Sequence, residues 1–287
     1  MPTTIDSVAT GMGGRWRRPS AHGLADAVAR RALHDAGLPA RGIDLLINAG
    51  LYHDRNLGEP ALAALIQEDI GANPEDPHAG GHGTFSFDVA NGSCGLLTGL
   101  QVADGFLRAG TIRHALIVAS DARPALRLAR GFPFAPTGAA IVCGWRRDGR
   151  GIQAFRFAAP PTDSGGGLRA TVRFAGGRNR LTISEDAGFA AAAGTWAGEV
   201  ADKLLADHGL HAGDVDVVVA NPLTASFLAA LAERLGVDRA RMVEPAGGPA
   251  AHTAGLGLAL AAAPPDAATA LLVSAGAGPI AGAALLR

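Results

Sequence analysis

Ser93 and Cys94 stand side by side in the stretch FSFDVANGSCGLLTGL, Phe85 to Leu100, where an alternating apolar run passes into a glycine-punctuated helical pattern. A side chain at a helix start meets free backbone N–H groups and the positive end of the helix dipole, which lower a thiol pKa and favour the thiolate. Both residues are candidate nucleophiles. A thiolate is far more available near neutral pH than a serine alkoxide and needs less help from a base, which favours Cys94. The plainer alternative is a small buried apolar residue, the ordinary fate of a free cysteine.

Two other polar positions lie beside expected helix starts: Asn221 in VVVANPLTASF and His252 in GGPAAHTAGLGLAL. An amide can donate a hydrogen bond to a carbonyl oxygen but cannot shuttle a proton at neutral pH, whereas an imidazole can do both. Asn221 also reads as the N-cap of the following helix, with Pro222 at its first position. His252, on an Ala-rich helix, also reads as a core or capping residue.

The elements that must position these residues repeat. ADAVARRALHDAGLPARGIDLLINAG from Ala25 aligns without a gap on AGEVADKLLADHGLHAGDVDVVVANP from Ala197, pairing Leu33 with Leu205, Gly37 with Gly209 and Asp44 with Asp216. Each copy predicts an amphipathic helix stopped by a C′ glycine, a short loop, and an apolar strand of the kind covered on both faces. Further matches follow in order: ALIQEDIGA with AALAERLGV, ALIVASDARP with ALLVSAGAGP, and TGAAIV with AGAALL. A series of matches in one order predicts an internal duplication, residues 1–150 and 151–287 each forming an α/β half. The Gly- and Pro-rich segment from Gly149 to Ser184 is expected to connect them, with hairpin strands and a surface loop.

Composition bounds the partners. The formal net charge is −1, there is no Lys/Arg block and only one Tyr, so neither a nucleic-acid footprint nor a stacking platform is expected. The two cysteines, Cys94 and Cys143, are far apart with no CxxC spacing, which argues against a disulfide framework or a zinc site and suits a reducing cytoplasm. No segment has the length and unbroken apolarity of a membrane span.

These motifs resemble the thiolase superfamily, and within it the β-ketoacyl-ACP synthase III branch, over nearly the whole chain. The resemblance implies two duplicated α/β halves in a five-layered αβαβα arrangement. It implies an acyl-thioester transferase that takes an acyl group from acyl-CoA or an acyl carrier protein, with the CoA or phosphopantetheine thioester as substrate and no permanently bound cofactor or metal. Without gaps, FDVANGSCG puts Ser93 in the nucleophile slot; the family's Asn-x-x-Cys spacing, met by Asn91 and Cys94, puts Cys94 there. Asn221 occupies the position of the family histidine. A two-residue shift places His252 in the family's asparagine slot, and overlaying CGLLTGLQV on HTAGLGLAL makes Cys94 and His252 equivalent in the repeat. The amide of Ala277 or Gly276 would complete an oxyanion hole with the nucleophile's own amide.

The same resemblance implies a homodimer, or a heterodimer with a ketosynthase-like protein, joined through TFSFDVA; a catalytically degenerate partner subunit is the alternative function. Trp16, Arg17 and Arg18 read as a solvated turn, with a grip on the nucleotide end of coenzyme A as the alternative. His53, Asp54 and Arg55 fall in a loop before a helix expected to start at Glu59 and Pro60.

Overall fold

The computed structural model describes residues 2–13, 20–53, 61–73, 83–124, 129, 131–146, 148–160, 167–222, 224–245, 250–276 and 280–287. The first half runs β1 (Thr3–Met12), α1 (Ala21–Asp35), β2 (Leu45–Asn48), α2 (Leu62–Ile70), β3 (Phe85–Asp88), α3 (Gly95–Arg108), β4 (Ala115–Asp121) and β5 (Thr137–Trp145). The second runs β6 (Ile152–Ala158), a hairpin of β7 (Leu168–Ala175) and β8 (Arg178–Glu185), α4 (Phe189–Asp207), β9 (Val217–Asn221), α5 (Ala225–Leu235), α6 (Gly255–Ala262), β10 (Ala270–Ala275) and β11 (Ala281–Leu286).

The duplication is visible in individual hydrogen bonds. Gly37 and Gly209 both stop their helices at φ +67°, and the next residue, Leu38 or Leu210, donates its N–H to Leu33 or Leu205. A left-handed C′ residue of this kind is nearly free of strain only for glycine. Asp44 Oδ2 accepts from the amides of Arg113 and His114, just before β4. Asp216 Oδ2 accepts from those of Ala268 and Thr269, just before β10.

Strands follow the order β3-β2-β4-β5-β1-β6-β11-β10-β9. β2 pairs in parallel with β3 and β4, and β9 in parallel with β10; the remaining neighbours are antiparallel. Only Thr3 and Ile152 pair between β1 and β6, so the nine strands amount to two sheets touching at one corner. β6 is therefore a strand of the second sheet, so the halves join between Trp145 and Ile152, and the β7–β8 hairpin, turned by Gly176 and Gly177 at φ +61° and +74°, is an insertion within the second half rather than the connection expected from the sequence.

Alternation along the buried strands divides the side chains among three cores, as a period of two requires. Leu46, Leu116 and Val118 face α1 and α2. Val218, Leu271 and Val273 face α4 and α5. Leu45, Ile47, Ile117, Val219 and Leu272 face inward, onto α3 and α6 between the sheets. The five αβαβα layers follow from these three cores. Gly99 is needed in the middle layer, because a Cβ there would stand 2.7 Å from Ile117 Cγ2.

Candidate active site

Both middle-layer helices start at one place, and the starts are tied together by one side chain. Asn221, the last residue of β9 and fully buried, donates from Nδ2 to the carbonyl of Ser93 (2.8 Å) and to that of His252 (2.9 Å). Both amide hydrogens are thereby used, while Oδ1 is buried with no hydrogen-bond partner. Asn221 is not a helix N-cap: α5 begins later, with Thr224 at its N-cap position, because the apolar run VVVAN continues as strand through position 221.

Cys94 ends a short 3₁₀ turn, Gly92–Cys94, and is the N-cap of α3. It is 0% exposed and Ser93 is 6% exposed. Sγ lies 3.8 Å from the carbonyl oxygen of Ile280, and a Cβ on Gly276 would stand 3.5 Å from Sγ, so the backbone at Gly276 and Ile280 covers the thiol. Burial pushes this thiol up to about 12, with the backbone of Gly282 pulling the other way. The helix start also favours the thiolate, but removal from water dominates. The Cys94 amide donates to the Asn91 carbonyl and the Gly276 amide to that of Ile280, each at 3.0 Å. Ala277 lies outside the described residues.

His252 is 5% exposed and packed against the rings of Phe134, at 4.2 Å between centroids, and Tyr52, at 5.3 Å. Its Nδ1 stands 3.6 Å from Asp121 Oδ2. Sequence reasoning missed Asp121, the fully buried last residue of β4. Oδ2 accepts from the Thr253 amide (2.8 Å) and hydroxyl (2.6 Å); Oδ1 accepts from the amides of Tyr52 (3.0 Å) and Leu51 (3.3 Å). Burial alone would raise this carboxyl, but His252 and the Thr253 donors outweigh it and hold the pKa below the ordinary value. One signal was available in the sequence: a charged residue ending the apolar run ALIVASD, where burial demands partners.

The caps correct the overlay of Cys94 on His252. Gly95 donates to the Gly92 carbonyl at the start of α3, and Gly255 donates to that of His252 at the start of α6. The N-caps Cys94 (φ −83°, ψ −5°) and Ala254 (φ −79°, ψ −6°) are nearly identical. His252 is thus the counterpart of Gly92, two residues from the register suggested by the glycine and leucine pattern, because the chain turn rather than side-chain type fixes a helix start.

A cavity of about 370 Å³ is lined by Leu51, Tyr52, Val89, Ala170, Val172 and Leu181, among others. It sits between the loop after β2 and the hairpin, and Tyr52 links it to the His252 cluster. Of the loop residues noted in the sequence, His53 also lines this cavity. Trp16, Arg17, Arg18, Asp54, Arg55, Glu59 and Pro60 lie outside the described residues.

Comparison with known proteins identifies the family. The chain is 30% identical over 238 residues to a β-ketoacyl-[acyl-carrier-protein] synthase III of Rhodospirillum rubrum, covering 77% of this chain and 68% of that protein. The chain belongs to the β-ketoacyl-[acyl-carrier-protein] synthase III family. A family member from Bacillus anthracis is 26% identical over 228 residues, 76% of this chain and 66% of that one. These matches span about two thirds of the length of either relative.

Among solved structures, the 3-oxoacyl-[acyl-carrier-protein] synthase III of Aquifex aeolicus superposes with a TM-score of 0.80 at 20% identity, covering 99% of each chain. A priming β-ketosynthase from a polyketide biosynthetic pathway also gives 0.80 at 20% identity, covering 99% of this chain and 96% of that one. At such identity the superposition establishes the thiolase-like fold of the synthase III family. No family model matches the chain. Among the described residues no helix is long and apolar enough to cross a membrane.

Proposed function

We propose that the chain is an acyl-thioester transferase of the synthase III type that carries an acyl group on Cys94, with Ser93 as the competing nucleophile. The observation that carries this reading is the Asn221 bridge, which joins the helix start bearing Cys94 to the one bearing His252. In the proposed reaction Sγ attacks the thioester carbonyl of an acyl-CoA or acyl carrier protein. The carbon–sulfur bond to the donor breaks, the pantetheine thiol leaves, and the acyl group becomes a thioester of Cys94.

His252 handles the proton, with Asp121 orienting its ring from the Nδ1 side as carboxylates do in other His-dependent sites. Asn221 acts as a positioning residue, since both of its hydrogens already serve carbonyls. Because burial keeps the thiol protonated and the Cys94 and Gly276 amides already donate to the carbonyls of Asn91 and Ile280, donor binding must displace those two carbonyls before the amides can act as an oxyanion hole. The apolar cavity beside Tyr52 is the proposed seat of the pantetheine or acyl chain. The substrate is a CoA or phosphopantetheine thioester, no cofactor is held permanently, and the setting is cytoplasmic.

Intact-protein mass spectrometry after incubation with a panel of acyl-CoAs and acyl carrier proteins tests this. An acyl adduct on the parent chain that disappears in Cys94→Ala and persists in Ser93→Ala supports it; an adduct that disappears only in Ser93→Ala moves the nucleophile to Ser93. No adduct from any donor on the folded protein overturns self-acylation.

A second reading, a catalytically degenerate partner subunit of a heteromeric ketosynthase-like enzyme, is favoured by the sealed thiol and by the edge strand β3. That strand leaves Phe85 58% exposed, and pairing it with a second chain would form a homodimer or heterodimer. Co-purification with an intact ketosynthase, together with absence of any adduct, would establish this reading instead.

A further inference from the structure

On the outer layer, away from Cys94, α1 and α2 bring three ligand-type side chains to one point. His22 and Asp26 are four residues apart and share a face of α1, while Asp69 arrives from the last turn of α2. Arg30 anchors that turn by donating to the Asp69 carbonyl at 2.5 Å. His22 Nε2 lies 3.1 Å from Asp69 Oδ2 and 3.7 Å from Asp26 Oδ1, and one ligand atom from each residue lies within 4.8 Å of the others.

Of these atoms Asp26 Oδ1 is buried with no hydrogen-bond partner, and Asp26 as a whole is 8% exposed. A buried carboxylate oxygen without a donor is costly, so its retention in a folded chain asks for a partner.

We propose that His22, Asp26 and Asp69 bind a divalent transition cation of the zinc type, completed by water. Tetrahedral zinc with bonds of roughly 2.0–2.1 Å sets its ligand atoms about 3.4 Å apart, and the 3.1 and 3.7 Å separations bracket that value. The imidazole turns the choice away from calcium and magnesium, which take oxygen ligands alone. With two ligands on α1 and one on α2, the ion would pin the start of one outer helix to the end of the other.

Isothermal titration of the chelator-treated chain with zinc chloride tests the site, beside His22→Gln and Asp69→Asn, whose partly exposed side chains can be changed without opening the core. One zinc per chain is expected, weakened at least about tenfold in each variant, with a zinc-dependent rise of the melting midpoint in the parent alone. Cobalt substitution should give a visible absorption band that the variants lack. Absence of stoichiometric zinc binding by the parent would overturn the proposal, and so would unchanged affinity in both folded variants, which would place the metal elsewhere.

Discussion

Asp121→Asn isolates the group on which the His252 side of the site depends. The carboxylate accepts four hydrogen bonds, two at each oxygen, and stands beside His252 Nδ1. Replacing one oxygen by NH2 turns an acceptor into a donor and sets it against at least two buried donors, whichever way the amide faces. Hydrogen bonds to a charged group contribute about 1.5–3 kcal/mol each, so losing two of them should destabilise the fold by about 4 kcal/mol at pH 7. For a chain of this size that corresponds to a fall in melting midpoint of about 8 °C.

The pH dependence follows from the lowered pKa of Asp121. A carboxyl whose folded pKa is depressed contributes stability above its unfolded value of about 3.9 and loses it as pH falls through the folded one. The gap between parent and Asn variant should therefore be full at pH 7 and narrow below about pH 3.9. Differential scanning calorimetry from pH 3 to pH 8 reads both quantities. Equal midpoints at pH 7, or a gap independent of pH, would refute the argument that a charged Asp121 organises the cluster.

Two further outcomes follow from the same geometry. Burial that pushes Cys94 up to about 12 should make its alkylation by iodoacetamide at pH 7.5 at least about a thousandfold slower than that of a free thiol, with both cysteines reacting after denaturation; modification of the folded protein at the free-thiol rate would contradict the sealed site. Asn221→Ala strands the carbonyls of Ser93 and His252 and should cost about 2–4 kcal/mol by chemical denaturation, while a loss below about 0.5 kcal/mol would mean that the bridge does not hold the two helix starts.

Much of the fold was legible because it rests on local, repeated chemistry. The pairs Gly37 and Gly209, Leu33 and Leu205, and Asp44 and Asp216 could be aligned by eye, and each proves to do the same job in both halves. The apolar strands announced that both faces would be covered. The site was legible only in part: Cys94 was placed correctly at a helix start, but Asp121 was missed, and His252 was put two residues out of register with Cys94.

The sequence by itself determined the duplication, the alternation that assigns side chains to three cores, and the residue types available for chemistry. Helix periods, strand periods and glycine caps act over a few residues, so the chain carries them openly. Only the tertiary structure decided that Asn221 spends both hydrogens on two distant carbonyls, that the backbone at Gly276 and Ile280 seals Cys94, and that Asp69 meets His22 and Asp26. Those relations join elements far apart in the chain, and which partner a buried polar atom finds is fixed by how the layers pack, information that no local pattern contains.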